Sequence, residues 1–289
     1  MRRSASLLAS RALLLVGGLG VLAAGCEANR THLADTNPYE AGTTAPLSCV
    51  PNLDGQIDSS ELQPALGIAA KYLVNAAGTS RTVDVAGMTN TSGQLVWDWA
   101  TSYADDQVAT IEASSLSGKW YASSFPDGQF ATSFDAGDTL EAVYSQDASG
   151  FYLHGLASTE ESPASGKTLW TYDKPVALYT FPLKPGASWT QTGVIRNGLV
   201  HGSPYAATDV YQGTDDATGQ LVLPDFTFTQ AHRLRFVVIT TFSAGGNPIV
   251  SRQVSFLFEC AGEVGRATSM PGETNANFTT AAEQRRLGT

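Results

Sequence analysis

The feature that most limits what this chain can fold into is a long series of short apolar runs separated by turn residues. From about residue 49 to residue 260, runs of Val, Ile, Tyr, Phe, Trp and Thr are interrupted by Gly, Pro, Asn or Asp. Such runs are typical of β-strands joined by turns, and no long stretch has the periodicity of an amphipathic helix. The pattern predicts a mainly β protein.

Two hairpins are the clearest elements. Residues 139–145 and 151–157 alternate apolar and polar side chains on either side of a loop that ends in Gly150. Residues 233–242 and 249–260 flank a longer loop that contains Gly-Gly-Asn-Pro. Successive hairpins pair antiparallel, and a sheet of about ten strands must curl or split into two layers. We expect an antiparallel meander that forms a β-sandwich or a curved, partly closed sheet.

The charge balance bears on possible partners. The chain has 289 residues and carries 17 Lys and Arg against 27 Asp and Glu, a net charge of −10. No cluster of basic residues follows the N-terminal leader. Affinity for the phosphates of nucleic acid depends on such clusters, so nucleic acid is not the expected partner.

The N-terminus has the layout of a secretory signal peptide over residues 1–25. Arg2 and Arg3 give it a positive start, and residues 12–25 are apolar and uncharged but too short for a stop-transfer helix. The stretch ends in Leu-Ala-Ala-Gly followed by Cys26. This ending resembles the lipobox of bacterial lipoproteins, which implies cleavage before Cys26 and acylation of its thiol. An ordinary secretory cleavage site beside a cysteine is the alternative.

The lipobox resemblance implies a location in the cell envelope, with the membrane as a partner through the N-terminal lipid. Cleavage would leave 14 basic against 27 acidic residues. Glu27 rather than Asp follows the cysteine, which favours the outer membrane in bacteria that sort lipoproteins by this residue. Residues 26–48 are polar after the cysteine and lack apolar periodicity, so we predict a flexible tether to the folded domain.

Two cysteines, Cys49 and Cys260, remain after acylation of the first. They lie at the two ends of the β-rich stretch, in a compartment that permits oxidation, which predicts a disulfide between them. Two separate buried thiols are the alternative. Neither cysteine has a second Cys or a His at ligand spacing, so a zinc site is not expected.

Residues 50–61 hold the one motif that points to metal chemistry. If Gly55 is the sixth residue of a calcium loop, the ligand positions fall on Asn52, Asp54, Gln56 through its carbonyl, Asp58 and Glu61. The segment resembles the calcium loop of the EF-hand and dockerin families. That resemblance implies weak Ca²⁺ binding, because Val50 stands where the family has Asp. Without a metal, the same residues form a turn and the capping box of one short N-terminal helix.

The folded domain is predicted to span residues 49–265. Residues 266–289 are polar again and are predicted to form a C-terminal tail, in which 279–287 can make one short helix. Residues 179–236, with a Pro-Gly turn ahead of Trp189, loosely resemble secreted bacterial β-domains of unknown function. That resemblance implies a meander fold and no particular activity.

The sequence lacks the common local signatures of catalysis. It has no Gly-x-Ser-x-Gly elbow, no phosphate-binding glycine loop and no His-Glu-x-x-His helix. Trp97 and Trp99 fall on one face of a predicted strand, where they could stack on sugar rings or line an apolar cavity, although most tryptophans in β-domains are core.

We therefore expect a non-enzymatic, lipid-anchored envelope protein with a structural or ligand-binding β-domain, whose ligand would be a glycan or a hydrophobic small molecule. Two alternatives remain. One is a carrier of a hydrophobic ligand in a half-barrel. The other is an envelope hydrolase that acts on glycans through paired acids such as Asp215 and Asp216.

Overall fold

A computed structural model describes residues 49–288. The predicted signal peptide, the acylated Cys26 and the tether lie outside the described residues. Within residues 49–288 no helix is long and apolar enough to cross a membrane. The regular structure consists of sixteen strands: β1 Ala69–Asn75, β2 Arg81–Thr82, β3 Met88–Thr89, β4 Leu95–Asp98, β5 Asp106–Glu112, β6 Ser114–Ser115, β7 Phe130–Ser133, β8 Leu140–Gln146, β9 Gly150–Ser158, β10 Leu169–Thr180, β11 Ser188–Val200, β12 Ser203–Val222, β13 Thr227–Phe242, β14 Ile249–Phe258, β15 Gly262–Ser269 and β16 Thr280–Gly288.

The strands form one antiparallel, nearly closed, barrel-like sheet. Its hydrogen-bonded order is β5-β1-β16-β15-β14-β13-β12-β11-β10-β9-β8-β7-β6. The first and last strands of this order, β5 and β6, are consecutive parts of residues 106–115. One stretch of chain therefore pairs with β1 along β5 and with β7 through β6, which brings the two ends of the sheet together. The predicted curved, partly closed sheet is confirmed in this form.

Both predicted hairpins are present. β8 pairs with β9, and β13 pairs with β14, each in antiparallel register. The turn of the second hairpin needs left-handed backbone at Gly245 and Gly246, whose φ values are 91° and 107°. Glycine adopts such angles without the steric penalty that a side chain would bring.

The sheet has two faces with different surroundings. Side chains alternate along each strand, so Ser255 and Phe256 point to opposite faces. The face that carries Phe256 is covered by residues 76–105, and the face that carries Ser255 is the inner one. Inner residues interact across the sheet: Tyr144 on β8 and Arg266 on β15 influence each other electrostatically although their strands are far apart in the sheet order. We call the space that the inner face encloses the lumen.

The predicted disulfide between Cys49 and Cys260 is confirmed, with a Cα to Cα distance of 5.5 Å. Beside it, the Cys260 backbone N–H donates to the Glu61 carbonyl at 2.7 Å. The loop of residues 50–62 then reaches across one end of the sheet. Its Ile57 exchanges two backbone hydrogen bonds with Leu183, at 2.8 and 2.9 Å, and is completely buried. The N-terminal loop thus closes one end of the lumen.

The prediction of a short N-terminal helix is wrong. Residues Ser59–Glu61 form a single 3-10 turn, and Asp58 precedes it with its N–H bonded to a Glu61 carboxylate oxygen at 2.9 Å. Asp58 and Glu61 thus form the expected capping box. Pro64 follows within three residues, and a proline disfavours helical backbone at the residue before it, so the turn does not extend into an α-helix.

The prediction of a polar C-terminal tail over residues 266–289 is also wrong, because β15 and β16 lie inside the sheet order between β14 and β1. The expected short helix over 279–287 is instead strand β16. These strands are polar for a structural reason. Glu283 and Arg285 point into the lumen, and Arg286 is buried on the other face against backbone carbonyls and Asp106.

Candidate functional site

Trp97 and Trp99 belong to the core and do not form a binding surface. They are 0% and 3% exposed, and both rings pack on Phe256 with centroid distances of 4.7 and 5.0 Å. Residues 76–105, which contain both tryptophans, lie against the outer face of the sheet. Neither ring is accessible to a sugar or to a ligand in the lumen, so their assignment as ligand-binding residues does not hold.

The Asn52 to Glu61 loop is turned by its own hydrogen bonds. Asn52 Oδ1 accepts from the Asp54 N–H at 2.8 Å, and Asp54 Oδ1 accepts from the Gln56 N–H at 3.0 Å. Both Glu61 carboxylate oxygens are also engaged, by Asn52 Nδ2 and the Asp58 N–H. Within residues 49–288, no three acidic, His or Cys side chains converge closely enough to hold a metal ion.

Two buried carboxylates meet at this loop. Glu61 and Glu259 are 8% and 3% exposed. Glu259 Oε2 accepts from the N–H groups of Asn52 and Leu53 at 2.7 and 2.8 Å. Burial raises the pKa of Glu61, and the charge of Glu259 raises it further. In the described part of the chain, no Lys or Arg forms an ion pair with either carboxylate.

The strongest concentration of polar side chains lies in the lumen. Ser255, Arg266 and Arg285 are directly opposite one another on β14, β15 and β16, and so are Thr268 and Glu283 on the last two of these strands. Directly opposite residues share a face of the sheet. One side of the lumen is therefore lined by hydroxyl, guanidinium and carboxylate groups.

These lining groups lie deep in the molecule and still contact solvent. Burial is the largest single influence on the pKa of Arg266 and on the pKa of Tyr144, which lies across the lumen. Nevertheless the side chains of Arg266, Glu263 and Glu283 are 17%, 22% and 28% exposed. These side chains therefore keep accessible surface although they lie deep in the molecule, and we infer that water reaches the lumen.

Arg266 differs from the other arginines of residues 49–288. Its guanidinium lies 3.5 Å from Glu263 Oε1 and 3.5 Å from Glu283 Oε1, and its side chain donates no hydrogen bond in the described chain. Its Nε is buried without any partner. By contrast, Arg285 donates from Nε to Glu283 at 2.6 Å and from Nη2 to the Phe134 carbonyl at 2.6 Å. The donors of Arg266 are therefore held inside the protein but not used.

The electrostatics keep Arg266 charged. Burial alone would lower the pKa of its guanidinium, but Glu263 and Glu283 more than offset this and the pKa is raised. Tyr144 and Tyr179 remain neutral phenols, because burial raises the pKa of both hydroxyls. The lumen thus presents one unsatisfied cation, two carboxylates and neutral aromatic hydroxyls.

A second polar cluster lies on strands β10 to β13. The Tyr172 hydroxyl donates to Asp209 at 2.7 Å and is 2.9 Å from the Tyr211 hydroxyl, while Thr240 donates to Asp209 at 2.6 Å. The Tyr172 ring lies over Gly193, where a Cβ would be 2.5 Å from the ring. Asp209 is therefore satisfied by neutral donors and fixes aromatic rings along the inner face.

The buried pair of Asp215 and His232 is the most enzyme-like contact in the structure. His232 Nδ1 lies 2.7 Å from Asp215 Oδ2, and the residues are 1% and 0% exposed. Within the described chain, no group bonds to His232 Nε2. Asp216 points elsewhere and pairs with Arg233 and Arg235. The structure does not bring the two neighbouring acids together as a pair in a cleft.

The residues that line the lumen were missed by sequence reasoning. Arg266 and Glu283 lie in the segment predicted to be a tail, and Glu263 lies just before it. The available signal was the spacing of Glu283 and Arg285, two residues apart, which puts both on one face of a strand. Only the closed sheet shows that this face is internal.

Comparison with known proteins gives no family for this chain. No protein-family model matches it, and neither the curated proteins nor the solved structures contain a significant match. The class is therefore defined by structure alone, as an antiparallel, nearly closed β-sheet with a disulfide-tied N-terminal loop and a polar lumen.

Proposed function

We propose that this protein is a non-enzymatic, lipid-anchored protein of the bacterial cell envelope whose β-domain binds a small polar ligand in its lumen. The observation that carries the proposal is the water-accessible inner face with Arg266, Glu263 and Glu283. The lipobox-like segment ending in Cys26 supports the anchor, and Glu27 favours the outer membrane.

A polar ligand fits this lining better than a hydrophobic one. An apolar molecule in the lumen would displace water from charged groups without replacing its hydrogen bonds, which costs several kcal/mol by order of magnitude. The hydrophobic-carrier alternative is therefore the less favoured.

Two observations support a binding role over catalysis. The Asp215 and His232 pair is buried away from the lumen solvent and has no nucleophile at His232 Nε2 within residues 49–288. In the lumen, Glu283 is ion-paired with Arg285 at 2.6 Å, and Glu263 accepts from Ser255 at 2.8 Å. Both glutamates are thereby already engaged by neighbouring side chains, and the structure does not bring them together as a free acid and base on either side of a substrate, as a glycosidase requires.

The anchor is tested by replacing the cysteine that would carry the lipid. We expect Cys26→Ala to abolish acylation, so that the protein accumulates as uncleaved precursor or is released from the membrane. Detergent phase partition and mass spectrometry of the N-terminus measure this. Unchanged processing and partition of the variant would contradict the anchor.

Entry of small molecules into the lumen is tested separately, by the chemical reactivity of the cysteine introduced in Thr268→Cys.

We further propose weak Ca²⁺ binding at the loop of residues 50–61, supported by the Glu61 and Glu259 pair. Two buried carboxylates with no basic partner in the described chain favour a cation that neutralises them. The loop oxygens already accept hydrogen bonds from backbone N–H groups, so the ion would compete with these bonds and bind weakly.

The calcium proposal predicts a shift in thermal stability. Millimolar Ca²⁺ should raise the Tm of the wild-type protein, because a ligand at ten times its Kd adds about 1.4 kcal/mol to stability. The double variant Asp54→Ala, Glu61→Ala should lose the rise. Mg²⁺ and EDTA serve as controls. If the wild-type Tm is the same in Ca²⁺, Mg²⁺ and EDTA, the loop is only a turn with a capping box.

A further inference from the structure

We infer that Arg266 is the centre of a binding site for a neutral saccharide inside the lumen. This inference rests on the proposed function, because it assigns a ligand class to the polar chamber. It is carried by the unused donors of Arg266 and by the two carboxylates beside them.

Arg266 lacks the side-chain hydrogen bonds that an arginine normally donates. An arginine side chain has five N–H donors in a rigid fork. Charge-assisted bonds between such donors and carboxylates are about 2.7 to 2.9 Å long. Glu263 and Glu283 are 3.5 Å from Arg266, so they neutralise its charge without satisfying its donors. The other arginines of residues 49–288 all donate at least one side-chain hydrogen bond, as Arg252 does to the Glu273 carbonyl at 3.1 Å.

The free donors of Arg266, together with the carboxylates beside them, suit a ligand with hydroxyl groups. A hydroxyl accepts one hydrogen bond and donates another, so neighbouring sugar hydroxyls can accept from Arg266 and donate to Glu263 or Glu283 at the same time. An anionic ligand would gain no net attraction, because Glu263 and Glu283 balance the charges of Arg266 and Arg285. An apolar ligand would leave the guanidinium donors unpaired and dry. The cluster of two guanidinium groups, Arg266 and Arg285, with two carboxylates has no net charge and therefore selects a neutral molecule with several hydroxyls.

Aromatic side chains share the lumen with Arg266. Tyr144 and Tyr179 interact electrostatically with Arg266 and belong to a continuous set of rings, with Phe151 5.0 Å from Tyr144 and 5.3 Å from Tyr179 between centroids. Tyrosine offers an apolar ring face together with a hydroxyl. A pyranose has the same division, since its C–H faces are apolar and its rim is polar.

The experiment is calorimetric titration of the full chain with four probes: maltotetraose, cellotetraose, oligogalacturonate and laurate. We expect at least one of the two neutral tetrasaccharides to bind with a Kd of millimolar order or tighter. Arg266→Met should weaken this binding by about tenfold to a hundredfold, as expected for losing hydrogen bonds from a charged donor. Arg266→Lys keeps the charge and loses the planar fork, so it should also weaken binding if the Met variant does not fold. Arg196→Met is the control, because Arg196 is 68% exposed and pairs only with Asp173.

Three results would overturn the inference. Binding of a neutral sugar that survives both Arg266 variants places the site elsewhere. Arg266-dependent binding of oligogalacturonate or laurate, with none of a neutral sugar, gives the lumen a different ligand class and leaves the proposed function standing. Absence of binding by every probe removes the saccharide assignment, and the lumen itself is then judged by chemical access to Thr268.

Discussion

Replacing Cys49 and Cys260 together by serine should lower the free energy of unfolding by up to about 5 kcal/mol, because the disulfide closes a loop across 211 residues and restricts the unfolded chain. The loss should be visible as a lower urea midpoint. The bond also holds the loop that buries Ile57 against Leu183 at one end of the lumen, so residues 50–62 should become more susceptible to proteolysis in the variant.

The wild-type protein in reductant is the matched control for the cysteine variant. It should unfold at the same urea concentration as Cys49→Ser, Cys260→Ser, since both lack the cross-link. A double variant whose stability stays within about 0.5 kcal/mol of the oxidised wild type, the usual range for surface changes, would show that the disulfide does not constrain the domain.

The second large effect is expected at Arg286. This side chain is 1% exposed and donates to Asp106 at 2.5 Å and to the Trp99 carbonyl at 3.1 Å, with a further short hydrogen bond to the Thr101 carbonyl. Arg286→Met should cost about 2 to 3 kcal/mol, because it leaves the buried carbonyls of Trp99 and Thr101 without their donor and removes one of the two arginines that pair with Asp106, the other being Arg81. Urea unfolding measures the change.

Arg196→Met is again a suitable comparison, because the exposed Arg196 and Asp173 pair should contribute less than about 1 kcal/mol. Equal and small effects of the two substitutions would mean that the last strand is not part of the sheet. Such a result would support the prediction from composition that residues 266–289 form a polar tail.

The hairpins could be predicted from the sequence because their information is local. In β8 and β9, apolar and polar residues alternate, and the turn between them ends in a glycine. The β13 and β14 turn contains two glycines that adopt positive φ. Neighbouring strands, turn residues and antiparallel pairing all follow from such patterns.

Closure of the sheet could not be predicted, because it depends on pairs that are distant in sequence. β1 pairs with β16, joining Lys71 to Gly288. The period of two puts Trp97 and Trp99 on one side of their strand, as expected, but it does not say which side is covered. Nor does it separate Arg285, which faces the lumen, from Arg286, which lies on the opposite face, although both side chains are buried.

The loop of residues 50–61 and the disulfide show the same contrast. The number of cysteines and the expected oxidising compartment suffice to predict the Cys49 and Cys260 bond. The sequence predicts a turn around Gly55, whose φ is 87°. It does not reveal that Glu259, from the far end of the domain, accepts from the Asn52 and Leu53 N–H groups. The sequence motif therefore accounts for the bonds within the loop but not for its contact with Glu259.

The most direct test of a water-accessible lumen is the reactivity of a cysteine placed on its wall. Thr268→Cys points into the lumen, and Thr192→Cys on β11 is its exposed counterpart outside. In the full chain carrying Cys26→Ala, each introduced cysteine is the only free thiol. The account predicts that a small charged methanethiosulfonate modifies both cysteines, whereas a maleimide with a long polyethylene glycol chain modifies only Thr192→Cys. If the small reagent fails at Thr268→Cys in the folded protein, or the large one modifies both equally fast, no enclosed polar chamber exists and the central claim is contradicted.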